Sequence, residues 1–171
     1  MERLNREEFH DSIRGHFAGE LYNAMIDNPD ITVITADLGY AMFDKIKADF
    51  PDRFINTGAS EMAAMGIAVG MAEEGRIPVV YSITPFLLYR PAEIIRNYIN
   101  HEKIAVNLIA SGRDQDYEHD GFSHFAGDDK AFLQQFTNIQ GFWPMTKSDM
   151  KYTVQWIQDE RVPKYINLKR G

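Results

Sequence analysis

Hydrophobic and polar positions along the chain follow two periods in turn, one near 3.6 residues and one near 2. Over residues 6–27, Phe9, Ile13, Phe17, Leu21, Ala24 and Met25 share one helical face. Asn5, with Glu8 three residues later, has the form of a capping box. Asn28-Pro29-Asp30 then breaks the helix. The short β-branched run 31–37 predicts a buried parallel strand. A helix follows near 41–49 and ends at Phe50-Pro51-Asp52. The pattern continues with a weaker strand at 53–57, a helix of small residues and methionine over 60–74 closed by Gly75, and a strand at 78–83. A helix is predicted over 91–101, a strand over 104–110, a helix near 128–136 and a strand at 139–143. Ser148 starts a helix over 149–159, and 165–168 is a last strand. Residues 111–127 show neither period and hold much of the polar chemistry.

Strand and helix alternate about six times, which predicts an α/β fold: mostly parallel strands with helices on both faces. The 171 residues suit a single domain spanning 1–171. There is no internal repeat and no low-complexity tract. The chain stops directly after a strand, at Lys169-Arg170-Gly171. That end points to a domain that continues in other contexts or stands as a separate subunit.

Composition narrows the function. Hydrophobic residues make up 44% and charged residues 25%, enough for a packed core. The net charge of −7 comes with no basic patch, which argues against nucleic acid and anionic membrane surfaces as partners. Without cysteine there is no disulfide framework, thiolate metal site or thiol nucleophile. The polar start and the lack of a long apolar run predict a soluble, cytoplasmic protein.

In open α/β sheets, ligands bind beyond the carboxyl ends of the strands. Four successive loops on that edge carry polar and aromatic groups. The first offers Asp37, the second Gly58, Ala59, Ser60 and Glu61, the third Thr84, Pro85, Phe86 and Tyr89, and the fourth Arg113, Asp120 and His124. This convergence predicts a small-molecule site. Glu61 is the most informative of these residues. It opens a helix among Ala59, Met62, Ala63, Ala64 and Met65, and a carboxyl in apolar company is desolvated and suited to holding or passing a proton near neutral pH. The small-residue face of the same helix suits ordinary packing or a tight subunit contact. Asp116, Glu118, His119, Asp120 and His124 also allow a metal-dependent hydrolase as a rival reading.

The order Ala36-Asp37-Leu38, Phe50-Pro51-Asp52-Arg53-Phe54, Gly58-x-x-Glu61 and Asp120-Gly121-x-x-His124 resembles the pyrimidine-binding domain of transketolases from about Ser12 to Arg170. Deoxyxylulose-phosphate synthases and the β chains of 2-oxoacid dehydrogenases share that domain. The resemblance implies a thiamine-diphosphate-binding fold and thiamine diphosphate as cofactor. In the family, the glutamate matched by Glu61 hydrogen-bonds the aminopyrimidine ring nitrogen and drives the ring toward its imino tautomer. Phe86, with Tyr89 beside it, matches the aromatic wall of the pyrimidine, and Asp37 matches a position near cofactor and subunit contact. Asp120 and His124 match the substrate-side pair, the aspartate reading a sugar hydroxyl and the histidine moving protons or stabilising charge. The implied activity is transfer of a two-carbon ketol unit between sugars or sugar derivatives. A deoxyxylulose-phosphate-synthase-like or 2-oxoacid-decarboxylating subunit, or a non-catalytic stabilising subunit, are the alternatives.

Two departures qualify the resemblance. The family holds the diphosphate and Mg²⁺ through a Gly-Asp-Gly motif followed about 30 residues later by asparagine, in another domain; Gly127-Asp128-Asp129 is no such motif. The resemblance therefore implies a second subunit carrying that domain and the Mg²⁺, most simply in an α2β2 heterotetramer. The family's third domain is also missing. Second, a family histidine that meets the substrate phosphate aligns with Gly112, while Asp114, Asp116, Glu118 and Asp120 crowd the loop and only Arg113 offsets them. Such a loop repels a phosphate dianion. It points to a sugar substrate whose phosphate is remote, as in a nucleotide-linked sugar, unless the acids simply face solvent.

Overall fold

In a computed structural model describing residues 1–170, six parallel strands form one sheet in the order β2-β1-β3-β4-β6-β5. The strands are β1 (Ile31–Thr35), β2 (Phe54–Asn56), β3 (Ile77–Ile83), β4 (Asn107–Ser111), β5 (Gln140–Phe142) and β6 (Lys164–Leu168). The four central strands are buried along nearly their whole length. Alternate residues therefore feed two cores. Ile31, Val33, Val79, Tyr81, Ile109 and Ile166 pack with α1 (Ile13–Asp27), α2 (Asp44–Asp49) and α7 (Asp149–Asp159). Ile34, Val80, Leu108, Ala110 and Tyr165 pack on the opposite face, where α3 (Glu61–Glu73), α4 (Thr84–Tyr89) and α6 (Asp129–Leu133) lie. The last helix of that face, α5 (Ala92–Ile94), continues as a π-helical stretch, Ile95–His101.

Several boundaries differ from the periodicity, each for a local reason. The helix expected over 6–27 begins at Ile13, because the Ser12 hydroxyl accepts the Gly15 N–H at 3.0 Å. The Asn5–Glu8 pairing is present, with the Glu8 carboxylate accepting the Asn5 N–H at 2.7 Å, but it closes only a three-residue 3₁₀ turn, Arg6–Glu8. The loop expected after β3 is instead α4. Pro85 near its start supplies the fixed φ that a first helical turn tolerates. The helix expected near 41–49 starts at Asp44, since Gly39 and Ala41 carry left-handed backbone. No helix among the described residues is long and apolar enough to cross a membrane.

Lys164 is fully buried at the amino end of β6. Its Nζ donates to the carbonyls of Glu160 and Val162 and lies 5.3 Å from the Trp156 ring centre. Burial lowers its pKa from 10.5 to about 8. Below pH 8 the folded state carries a desolvated ammonium; above it, the folded state sheds that proton while the unfolded chain keeps its own. Stability should rise between pH 7 and 9 by about 1 kcal/mol, or ~3 °C in Tm. Thermal melts across that range should show the rise, and Lys164→Met should flatten it.

Candidate active site

The strand order reverses between β1 and β3, the place where an open parallel sheet takes its ligands, beyond the carboxyl ends of the strands. Asn56 organises one wall. Its Oδ1 accepts the N–H of Asp37 at 2.9 Å and of Gly58 at 3.0 Å, tying the loops after β1 and β2 together. The Thr57 N–H continues the pairing by donating to the Thr35 carbonyl at 3.0 Å. This frame delivers Glu61 as the first residue of α3, where its carboxyl is only 5% exposed.

The second wall is α4. Phe86 and Arg90 are four residues apart, hence on one helical face. The Arg90 guanidinium folds back over the Phe86 ring, 3.7 Å from its centre, and Nη1 donates to Glu61 Oε1 at 2.7 Å. Glu61 is therefore buried as expected, but its nearest partner is a cation rather than apolar side chains alone. Phe86 also meets the His124 ring edge-on, centres 4.9 Å apart. Ser123 Oγ lies 3.0 Å from His124 Nδ1. The segments that follow β2, β3 and β4 thus join Glu61, Arg90, Phe86 and His124 in one continuous row.

The remaining candidates stand outside that row. Asp37 is exposed with φ +55°, and its Oδ1 accepts the Tyr40 hydroxyl at 2.6 Å. Tyr89 turns toward α6 and packs edge-on against Phe132 at 4.9 Å. Burial, and then the Asp128 carboxylate, push its hydroxyl well above the ordinary tyrosine range. Asp120 is exposed and pairs with His119, Nε2 to Oδ2 3.3 Å. Arg113 is turned to the β5–β6 side, where its guanidinium donates to the carbonyls of Pro144 and Asn167.

The acidic loop divides into internal and external groups. Asp116 Oδ2 accepts the backbone N–H of both Arg113 and Arg170 at 2.9 Å, so this acid closes the loop. Asp114, Glu118 and Asp120 are exposed. Asp116, Glu118, His119, Asp120 and His124 do not gather into a three-donor group able to hold a metal among the described residues. Gly112 has φ +85°, and the Tyr117 ring packs where a Cβ would project. No side chain fits there without displacing that ring.

Sequence reasoning missed Arg90, although its i+4 spacing from Phe86 was a usable signal. It also missed a buried network behind α4. Asp129, 4% exposed, accepts through Oδ2 from Trp143 Nε1 (2.8 Å), the Tyr165 hydroxyl (2.8 Å) and Asn167 Nδ2 (2.7 Å). Asn167 Nδ2 also lies 3.3 Å from Thr84 Oγ1, which donates to the Gly112 carbonyl at 2.5 Å. Burial, with Asp129 next, holds the Tyr165 hydroxyl neutral well beyond its usual range. Thr84 opens α4, so the network fixes the base of the helix that carries Phe86.

Comparison with known proteins bears on the family and the fold. The family model described as the transketolase pyrimidine binding domain matches residues 12–171. A putative transketolase C-terminal section from Methanocaldococcus jannaschii is 31% identical over 145 residues, covering 82% of this chain and 45% of that protein. An apulose-4-phosphate transketolase subunit from Actinobacillus succinogenes is 26% identical over 147 residues, covering 85% of this chain and 47% of its own length. A solved structure described as a split gene transketolase, inactive beta4 tetramer, superposes with a TM-score of 0.82 at 31% identity, covering 94% of this chain and 52% of that one. The chain thus spans about half the length of these relatives. On the family match and the shared fold, the chain belongs to the transketolase pyrimidine-binding domain family.

Proposed function

We propose that this chain supplies the pyrimidine half of a thiamine diphosphate site in a two-component, transketolase-like transferase. One observation carries the reading: a flat, N–H-bearing group seated on the Phe86 ring lies within hydrogen-bond distance of the buried Glu61 carboxylate. The Arg90 guanidinium occupies that place and so measures the slot, 3.7 Å above Phe86 and 2.7 Å from Glu61. An aminopyrimidine is also flat and bears N–H groups, so the residues present fit it. The cofactor, when bound, supplies the carbon nucleophile that takes up a two-carbon ketol unit.

Each residue then has a physical task. Phe86 walls the ring through an offset aromatic contact. Glu61, shielded from water, holds a hydrogen bond to the ring nitrogen and passes a proton there. His124, held at Nδ1 by Ser123 and braced by Phe86, moves a proton at Nε2 on the substrate side. Asp120 reads a sugar hydroxyl once it leaves His119, while Asp37 and Tyr89 flank the cofactor without facing its ring. Arg113 closes the substrate loop rather than meeting the substrate. The diphosphate and Mg²⁺ fall to a second subunit, in an α2β2 assembly in the cytoplasm. The three exposed acids of the loop favour sugars whose phosphate is remote from it.

The test is reconstitution. The chain, mixed with a partner carrying a diphosphate domain, thiamine diphosphate and Mg²⁺, should transfer ketol units between sugars, and neither chain should do so alone. Turnover by this chain alone, or an assembled pair that binds no cofactor, would overturn the reading. Phe86→Ala should raise the cofactor Kd about fivefold, measured by calorimetric titration of the pair, because the aromatic wall contributes ~1 kcal/mol.

A further inference from the structure

Arg90 makes two contacts at once that a bound aminopyrimidine would make: one face on Phe86 and one hydrogen bond to Glu61. Both groups cannot hold these positions together, since the Phe86 face and Glu61 Oε1 are each engaged. The guanidinium is planar, carries its donors along its edge and is weakly hydrated, so it imitates a flat heterocycle better than an ammonium would. Glu61 is 5% exposed at its side chain and Arg90 48% exposed. The carboxylate is the fixed, buried partner, and the arginine has solvent to retreat into. Removing the arginine would leave a buried carboxylate without its counter-charge, which is costly.

We infer that Arg90 is an internal stand-in for the cofactor's pyrimidine. It satisfies Glu61 and covers Phe86 in the unloaded subunit, and it is displaced when the cofactor binds. The inference rests on the function proposed above and adds a competitor to it. The arginine sets the affinity of the site, because each binding event must first break the Glu61–Arg90 pair. Stability of the empty subunit and affinity for cofactor are thereby opposed at one residue. A merely structural arginine would move both in the same direction, since a loosened pocket binds less well.

The experiment measures thiamine diphosphate binding, with Mg²⁺, to the chain assembled with its diphosphate-domain partner, together with the Tm of the chain without cofactor. Arg90→Ala should lower that Tm yet tighten the Kd about tenfold. Arg90→Lys, which keeps the charge but cannot lie flat on Phe86, should fall between wild type and Arg90→Ala, and it serves if the alanine variant does not fold. Methylguanidinium, at concentrations that do not unfold the protein, should refill the slot in Arg90→Ala and weaken its cofactor binding again while leaving wild type unmoved. A Kd that is unchanged or weaker in both variants, with wild type binding normally, overturns the stand-in and leaves the proposed function intact. A wild-type complex that binds no cofactor overturns the proposed function and the inference with it.

Discussion

Glu61→Gln should lower ketol transfer by the assembled enzyme by about 10²- to 10³-fold, with the fold retained. The size follows from the task. Glutamine keeps the shape and can still touch the pyrimidine nitrogen, but it cannot hold or pass a proton there, and a positioned acid–base group contributes roughly that much. Retention of the fold follows from the surroundings. Glu61 opens α3 and contacts Arg90, whose guanidinium is half exposed and can return to water. The substitution also removes the charge that holds Arg90 in the slot, so cofactor affinity should change far less than turnover. Steady-state rates at saturating cofactor, set beside calorimetric Kd values, separate the two. Unchanged turnover in Glu61→Gln would assign this chain a stabilising role in place of a chemical one.

The parallel sheet was legible because its strands are short β-branched runs buried on both faces, such as 31–35 and 77–83. The loops at its carboxyl edge followed from that topology, and with them the row formed by Glu61, Phe86 and His124. What escaped were features set by contacts between distant segments. The start of α1 depends on Ser12 rather than on the apolar face that runs back to Phe9. Asp37, Asp120 and Arg113 lie in the expected loops and Tyr89 on α4, yet their directions depend on Tyr40, His119, the β5–β6 carbonyls and Phe132. Spacing along the chain places a residue in a loop but does not aim its side chain. Arg90 shows the same limit from the other side. A charged residue at the end of a short helix reads as solvated, and only the buried carboxylate from another loop turns it inward.

The second large effect is expected at Asp129. Replacing it with alanine should cost about 3–5 kcal/mol, a fall in Tm of roughly 10 °C. The carboxylate is buried and accepts three hydrogen bonds through one oxygen, from an indole, a phenol and an amide. Alanine leaves all three donors dry, and a buried donor without its partner costs far more than a made bond contributes. Asp129→Asn should be milder, because an amide oxygen in the place of Oδ2 still accepts from all three donors. The loss should also reach the site. Asn167 and Thr84 link Asp129 to the Gly112 carbonyl and to the first turn of α4, so loosening the network lets Phe86 drift from its contacts with Arg90 and His124. Chemical denaturation should show the stability loss. Cofactor titration at a temperature where Asp129→Asn is fully folded should show a weaker Kd, the opposite direction from Arg90→Ala. Because Asp129 touches neither Glu61 nor Phe86, a weaker Kd there would trace the slot's geometry to the buried frame behind α4, whereas an unchanged Kd would mean that the frame serves stability alone.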